Sequence, residues 1–326
     1  MFSCRIERDS INTTGDRLIS YVVQYPRTVI AEQRTHRRNY ISNDSWEEVS
    51  WDQWSTTEDI SKNSASTRAI PTKKMLESVS KDPYIPKWTL NQKGMQGEYI
   101  SDDLKIAEAN NVCLEMLNTI IEGVEQLEYL GIHKQDAGRY IEPWSWTTQI
   151  LTSSRWDNFF ALRCHKDAYP PFRTIARMMF LARRKSTPVK LEYGQWHLPF
   201  VPLEQQMNFD WKPDLFEDEH FELPDLIKYS VARTAWMSYE SSDKDGSHEK
   251  MIATYDRLMK EPPFHVSPCE AQATPFCRDI KEYVEQYRSN LTGWLQCRKL
   301  IKHEEIKEYN PSEEEIKSWG LPDESL

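Results

Sequence analysis

LISYVVQYPRTVIAEQRTHR, residues 18–37, changes its periodicity at a single point. Up to Tyr25 it is rich in β-branched and aromatic side chains, which suit a pleated strand. Pro26 ends that strand, because its ring removes a backbone donor from the ladder. The residues after it predict a helix over about 28–37. Working outward, the clearest further element is SDDLKIAEANNVCLEMLNTIIEGVEQLEYLG, residues 101–131, where Ser101, Asp102 and Asp103 offer a helix start and Gly131 a stop. Between them apolar residues recur at Leu104, Ala107, Leu114, Leu117, Ile121, Val124 and Leu127. Shorter helices are predicted over 156–164, 171–184, 249–260 and 276–287, with strands near 189–193 and 227–234. This mixture argues for an α+β fold with a mixed or antiparallel sheet and long helices, not a regular βαβ alternation.

The bulk composition bounds the function. A chain of 326 residues with 39% hydrophobic content can bury a sizeable core, so a folded enzyme is expected. The net charge of -10 opposes direct nucleic-acid binding, which draws on clustered Lys and Arg. A small anionic substrate stays open, since a few local arginines suffice. No apolar run approaches the roughly 18 residues that span a bilayer, and the first residues lack a signal-peptide core. A soluble, cytoplasmic protein with no membrane partner is therefore expected. Six cysteines without a CxxC pair suggest neither a metal site nor a disulfide framework.

Residues 1–302 show no clear linker and read as one domain. Within it, 39–60 forms an insert in which Trp46, Trp51 and Trp54 stand among acidic residues, with no Lys or Arg from 39 to 59. Residues 303–326 read as a charged, solvated tail. There is no GxGxxG and no GxxxxGK[ST], so phosphates must be held by other means. Arginine forks are the remaining device, and Arg34, Arg37, Arg68, Arg139 and Arg163 are the candidates.

The triplet at 35–37 followed by SKNSASTRAIP at 61–71 is where a family likeness enters. It resembles the signature of flavin-dependent thymidylate synthases, an Arg-His-Arg triplet followed by a Ser, Asn, Glu, Ser and Arg set. His36 and Arg37 match, while Thr35 replaces the leading arginine; Ser61, Asn63, Ser66 and Arg68 match, while Ser64 replaces Glu and Ala69 replaces Tyr. GRYIEP at 138–143 and WDNFFALR at 156–163 resemble two further segments, and VARTAW at 231–236 and FHVSPCE at 264–270 two more. The last pair follows the signature here instead of preceding it, as in a circular permutation, with a phage-type flavour in YPRTVIAE at 25–32 and SNLTGWLQCRKL at 289–300.

The resemblance implies a flavin-dependent thymidylate synthase-like fold. It implies FAD contacts at His36, Arg37, Ser64, Asn158, His265 and Ser267, and nucleotide contacts at Ser66, Arg68, Arg139 and Arg163. Arg163 would act catalytically, since a cation at the ring carbonyl favours an ionised uracil ring and so a more reactive carbon 5 or 6. It further implies conversion of dUMP to dTMP with methylenetetrahydrofolate and NADPH, in a homotetramer, here within a phage-infected host cell. The departures at Thr35, Ser64 and Ala69, and Tyr169 to Pro171 after Arg163, keep two other readings open. One is hydroxymethylation or hydroxylation at carbon 5 of dUMP or dCMP; the other is a non-catalytic binding protein. From the residues alone, His36 equally suits a helix cap and Arg163 a surface ion pair. Cys164 beside Arg163 is a further, weaker candidate, as a nucleophile.

Overall fold

The computed structural model describes residues 1–34, 60–64, 70–93, 97–215, 221–237, 246–261, 264–276, 287, 289–302, 304 and 311–318. The chain opens on a hairpin of β1 (Ser3–Ile11) and β2 (Arg17–Pro26). Its turn is held by the Asn12 side-chain oxygen, which accepts from the backbone N–H groups of Thr14 and Asp16. Pro26 ends β2, and α1 (Val29–Arg34) follows. Next come β3 (Ser61–Ser64), α2 (Thr72–Lys81), α3 (Asp103–Tyr129) and the single turn α4 (Lys134–Ala137). β4 (Trp146–Ser153) leads into α5 (Asp157–Arg163), α6 (Pro170–Lys185), β5 (Val189–Lys190) and α7 (Leu203–Met207). The chain continues through α8 (Asp225–Trp236), α9 (His248–Leu258), β6 (Ala273–Pro275), β7 (Trp294–Gln296) and α10 (Glu313–Ser318).

The main sheet has the order β3-β4-β2-β1-β5. All its pairs are antiparallel except β5, which runs parallel to β1, so the fold is α+β on a mixed sheet. β2 is central and buried on both faces, which explains its nearly unbroken apolar run. Because side chains alternate across a strand, Ile19, Tyr21, Val23 and Tyr25 meet Trp156, Phe159, Phe172 and Met179 of the α5 and α6 layer. On the opposite face Val22 and Ile150 meet Met237 and Ala271. Beyond them lies a core containing Trp196, Val231, Tyr255 and Leu295.

α3 has the expected ends: the Asp102 carboxylate accepts from the backbone N–H groups of Leu104 and Lys105, and Gly131 takes φ 79° after the last turn. Only Leu117 and Val124 of this helix are buried, against Met75, Val79 and Ile141, while Leu104 and Leu114 stay exposed. The strand expected near 227–234 is instead α8. Its β-branched residues are overridden by tertiary packing, since Ile227, Ser230, Val231 and Thr234 recur at helical spacing toward the core. Of the insert at 39–60 only Ile60 is described, and of the helix expected over 276–287 only Phe276 and Tyr287. In the tail, Glu304 pairs with Arg298 at 2.8 Å and with Lys299 at 2.5 Å. Among the described residues no helix is long and apolar enough to cross a membrane.

One buried polar chain crosses the sheet. His197 is completely buried, with Nε2 2.8 Å from the Ser20 hydroxyl and Nδ1 2.9 Å from the Ser10 hydroxyl. Burial, and secondarily Arg8, hold its pKa well below the ordinary value of 6.5. The folded chain therefore keeps this ring neutral, while the unfolded chain protonates it below about pH 6.5. Stability from this residue should be full above that pH and fall by about 1.4 kcal/mol per unit below it. Urea unfolding at about pH 7 and about pH 5 measures the slope. His197→Asn should flatten it, and an unchanged slope would assign the acid sensitivity to other groups.

Candidate functional site

Trp156 sets the position of α5. Its ring is buried edge-on to Tyr21 (5.0 Å) and Phe159 (5.4 Å), and its indole N–H donates to the Ser153 carbonyl at 3.0 Å. α5 then runs for two turns and places Arg163 in its last one, where the helix dipole favours a cation. The guanidinium lies over the ring of Phe172, a core residue of α6, 5.0 Å from its centroid. Burial lowers the Arg163 pKa and Glu32 opposes that shift. Glu32 comes from α1, whose Val29 packs into the same core as Phe172.

Arg163 and Glu32 both line a cleft of about 650 Å³. Its other walls include Tyr84, Trp88, Tyr99, Tyr169 and Pro170. The described wall residues 84–89 and 97–99 are pinned from several sides. The Tyr84 N–H donates to the Trp144 carbonyl at 2.8 Å, and the Trp88 indole donates to Asn110 of α3 at 2.8 Å. A Cβ at Gly97 would lie 2.2 Å from the Leu90 carbonyl oxygen, so this close approach requires glycine. Two cations meet Tyr99 of the lining: Lys87 sits 4.3 Å from its ring centroid, and Arg173 donates to its hydroxyl at 3.1 Å. Burial raises the Tyr84 pKa, so its phenol is neutral at physiological pH.

The other expected site residues are distributed unevenly. Asn158 is the second residue of α5, in the same layer as Arg163. Ser64 pairs with Gln149 in the sheet and shares the face on which Gln149 bonds to the Tyr25 hydroxyl. His265 and Ser267 are exposed, at the entry to a 3-10 turn at Ser267–Glu270. Arg139 does not line the cleft. It pairs with Glu142 at 2.9 Å, and Arg27 approaches the same carboxylate at 3.3 Å. His36, Arg37, Ser66 and Arg68 lie outside the described residues.

A thiolate at Cys164 finds no support, because burial raises its pKa and the opposing effect of Arg177 is the smaller one. Glu32 and the wall residues 84–89 and 97–99 were not singled out in the sequence. Lys87 set between aromatics in YIPKW, residues 84–88, was the available signal, but that stretch carries no helical or strand period.

Comparison with family models gives no match. Comparison with curated proteins gives none either. Among solved structures the chain is similar to a UMP/dUMP methylase, PolB from Streptomyces cacaoi, bound with 5-Br UMP. That match has 14% identity and a TM-score of 0.42, covering 57% of this chain and 89% of the other. The same methylase bound with 5-Br dUMP matches at 15% identity and a TM-score of 0.38, over 52% of this chain and 67% of the other.

Proposed function

We propose that this chain is an enzyme that binds a pyrimidine deoxynucleoside monophosphate in the Arg163 cleft and alters carbon 5 of its ring. The observation that carries this is the placement of Arg163, a guanidinium lying over the Phe172 ring and lining an aromatic-walled cleft of about 650 Å³. That volume lies within the roughly 300–1,000 Å³ of small-ligand sites. Aromatic walls suit a stacked base, and a fixed cation stabilises negative charge that develops on a ring oxygen as carbon 5 or 6 reacts. Lys87 in the lining is a suitable counterion for the phosphate.

By the family resemblance the substrate is dUMP, the product dTMP and the carbon donor methylenetetrahydrofolate, with FAD reduced by NADPH supplying the hydride. In this reading the flavin would sit between copies of the chain, in the homotetramer of the resembling family.

The test is product mass from purified full-length protein given each nucleotide with methylenetetrahydrofolate, FAD and NADPH. A mass gain of one methylene on the nucleotide supports methylation, and a gain of CH₂O supports hydroxymethylation. If no product forms and FAD with either nucleotide leaves the melting temperature unchanged, the proposal fails.

A further inference from the structure

The two longest helices among the described residues carry opposite charge on faces that the fold leaves exposed. α3 bears Asp103, Glu108, Glu115, Glu122, Glu125 and Glu128 against Lys105 alone. α6 bears Arg173, Arg177, Arg183, Arg184 and Lys185 with no acidic residue. Each helix buries one stripe and turns the opposite one outward, as its 3.6-residue period dictates. On α3, Leu117 and Val124 enter the core, while Glu108, Val112, Glu115 and Met116 are exposed. On α6, Phe172, Ile175, Ala176 and Met179 are buried, while Arg177, Leu181 and Arg184 are exposed. The two outer ridges share one spacing. Glu108, Val112 and Glu115 fall at i, i+4 and i+7, and so do Arg177, Leu181 and Arg184. Each ridge therefore sets two like charges about 10 Å apart along its axis, with one apolar residue between them. Those apolar residues stand well clear of the core, Val112 at 52% exposure and Leu181 at 53%. Beside the α3 ridge runs an apolar groove of about 610 Å³, lined by Trp88, Ala109, Val112 and Met116 among others. On α6, the Arg177 guanidinium is steadied by donating twice to the Cys164 carbonyl, at 3.2 and 3.1 Å.

We propose that the α3 ridge of one copy of this chain docks on the α6 ridge of a second copy, with Leu181 seated in the groove beside Val112 and Glu108 and Glu115 facing Arg177 and Arg184. Charge complementarity selects this occupant. Two α3 ridges would set carboxylate against carboxylate, and two α6 ridges cation against cation. An apolar centre with polar margins is also the anatomy of specific interfaces. Each copy holds both ridges, so the contact can be returned in a closed pair. It borders the Arg163 cleft, because Trp88 lines both cleft and groove, and Thr174 lines the cleft one turn before Arg177. The contact gives the assembly of copies invoked above a specific surface, and it stands whether or not the cleft takes a nucleotide.

The test is sedimentation of full-length protein over a range of concentrations. The parent should associate, and Glu108→Lys with Glu115→Lys should weaken association at least about tenfold, since like charges then face each other. Arg177→Glu with Arg184→Glu should do the same from the other side. Thermal melting reports whether each variant is folded, and Arg184→Glu alone replaces the double variant if that one loses its transition. An equimolar mixture of the two reversed variants should recover most of the lost affinity, because each ridge again meets its opposite. A parent that stays monomeric at every concentration overturns the proposal and leaves the ridges to a different protein. Association unmoved by either folded variant places the interface elsewhere and overturns it as well. Weakening without recovery in the mixture overturns the pairing of these two ridges.

Discussion

Arg163→Ala is expected to lower turnover by at least about a hundredfold while leaving the protein folded, because the group is asked to stabilise charge formed only during the reaction. The residue is only half-buried, and its guanidinium lies over the Phe172 ring instead of standing among the core side chains. Truncation should therefore cost little stability, within about 1 kcal/mol. Arg163→Lys separates charge from geometry. It retains a cation but loses the planar fork, so activity should fall between the parent and alanine variants. Steady-state turnover beside thermal melting checks both effects, and parent-like activity in folded Arg163→Ala would remove this residue from the chemistry.

Trp156→Ala is expected to destabilise the chain by about 3–5 kcal/mol, the range for emptying a buried aromatic position. Trp156 is 1% exposed and touches Tyr21 of β2, Phe159 of α5 and the stacked Phe160 ring at 6.0 Å. The cavity would open where sheet and helix layer meet, and the Ser153 carbonyl would lose the indole donor. Trp156→Phe should recover most of the loss, since it keeps ring volume and forfeits the hydrogen bond. Urea unfolding monitored by circular dichroism measures the difference, and a loss below about 1 kcal/mol for alanine would mean that the layer closes over the gap. As α5 carries Arg163, the alanine variant should also weaken nucleotide binding, tying packing to function.

Several elements were legible because local chemistry and tertiary role agree. β2 is apolar on both faces, α3 carries its own cap and stop, and α5 and α6 fill their predicted spans to within two residues. β1 and β4 were not legible. Arg5, Glu7 and Arg8 break the apolar alternation of β1, and a bulge between Ile6 and Arg8 shifts its phase. β4 buries Thr147, Gln149 and Thr152, polar residues that look solvated until their neighbours are known. The Thr152 hydroxyl lies 2.6 Å from that of Ser20 and Gln149 bonds to Tyr25, both on the adjoining strand. α8 misled through its β-branched residues, because packing of one helical face outweighs an intrinsic preference of a few tenths of a kcal/mol per residue.

Composition and periodicity thus settled the α+β class and placed Asn158 and Arg163 on one short helix, since these depend on neighbours a few positions apart. Packing decided what stands opposite Arg163. Glu32 and the aromatic wall of Tyr84, Trp88 and Tyr99 reach the cleft only after α1 docks on α6 and Trp88 bonds to α3. No pattern along the chain encodes such long-range pairings, which arise when separate apolar surfaces are buried against one another.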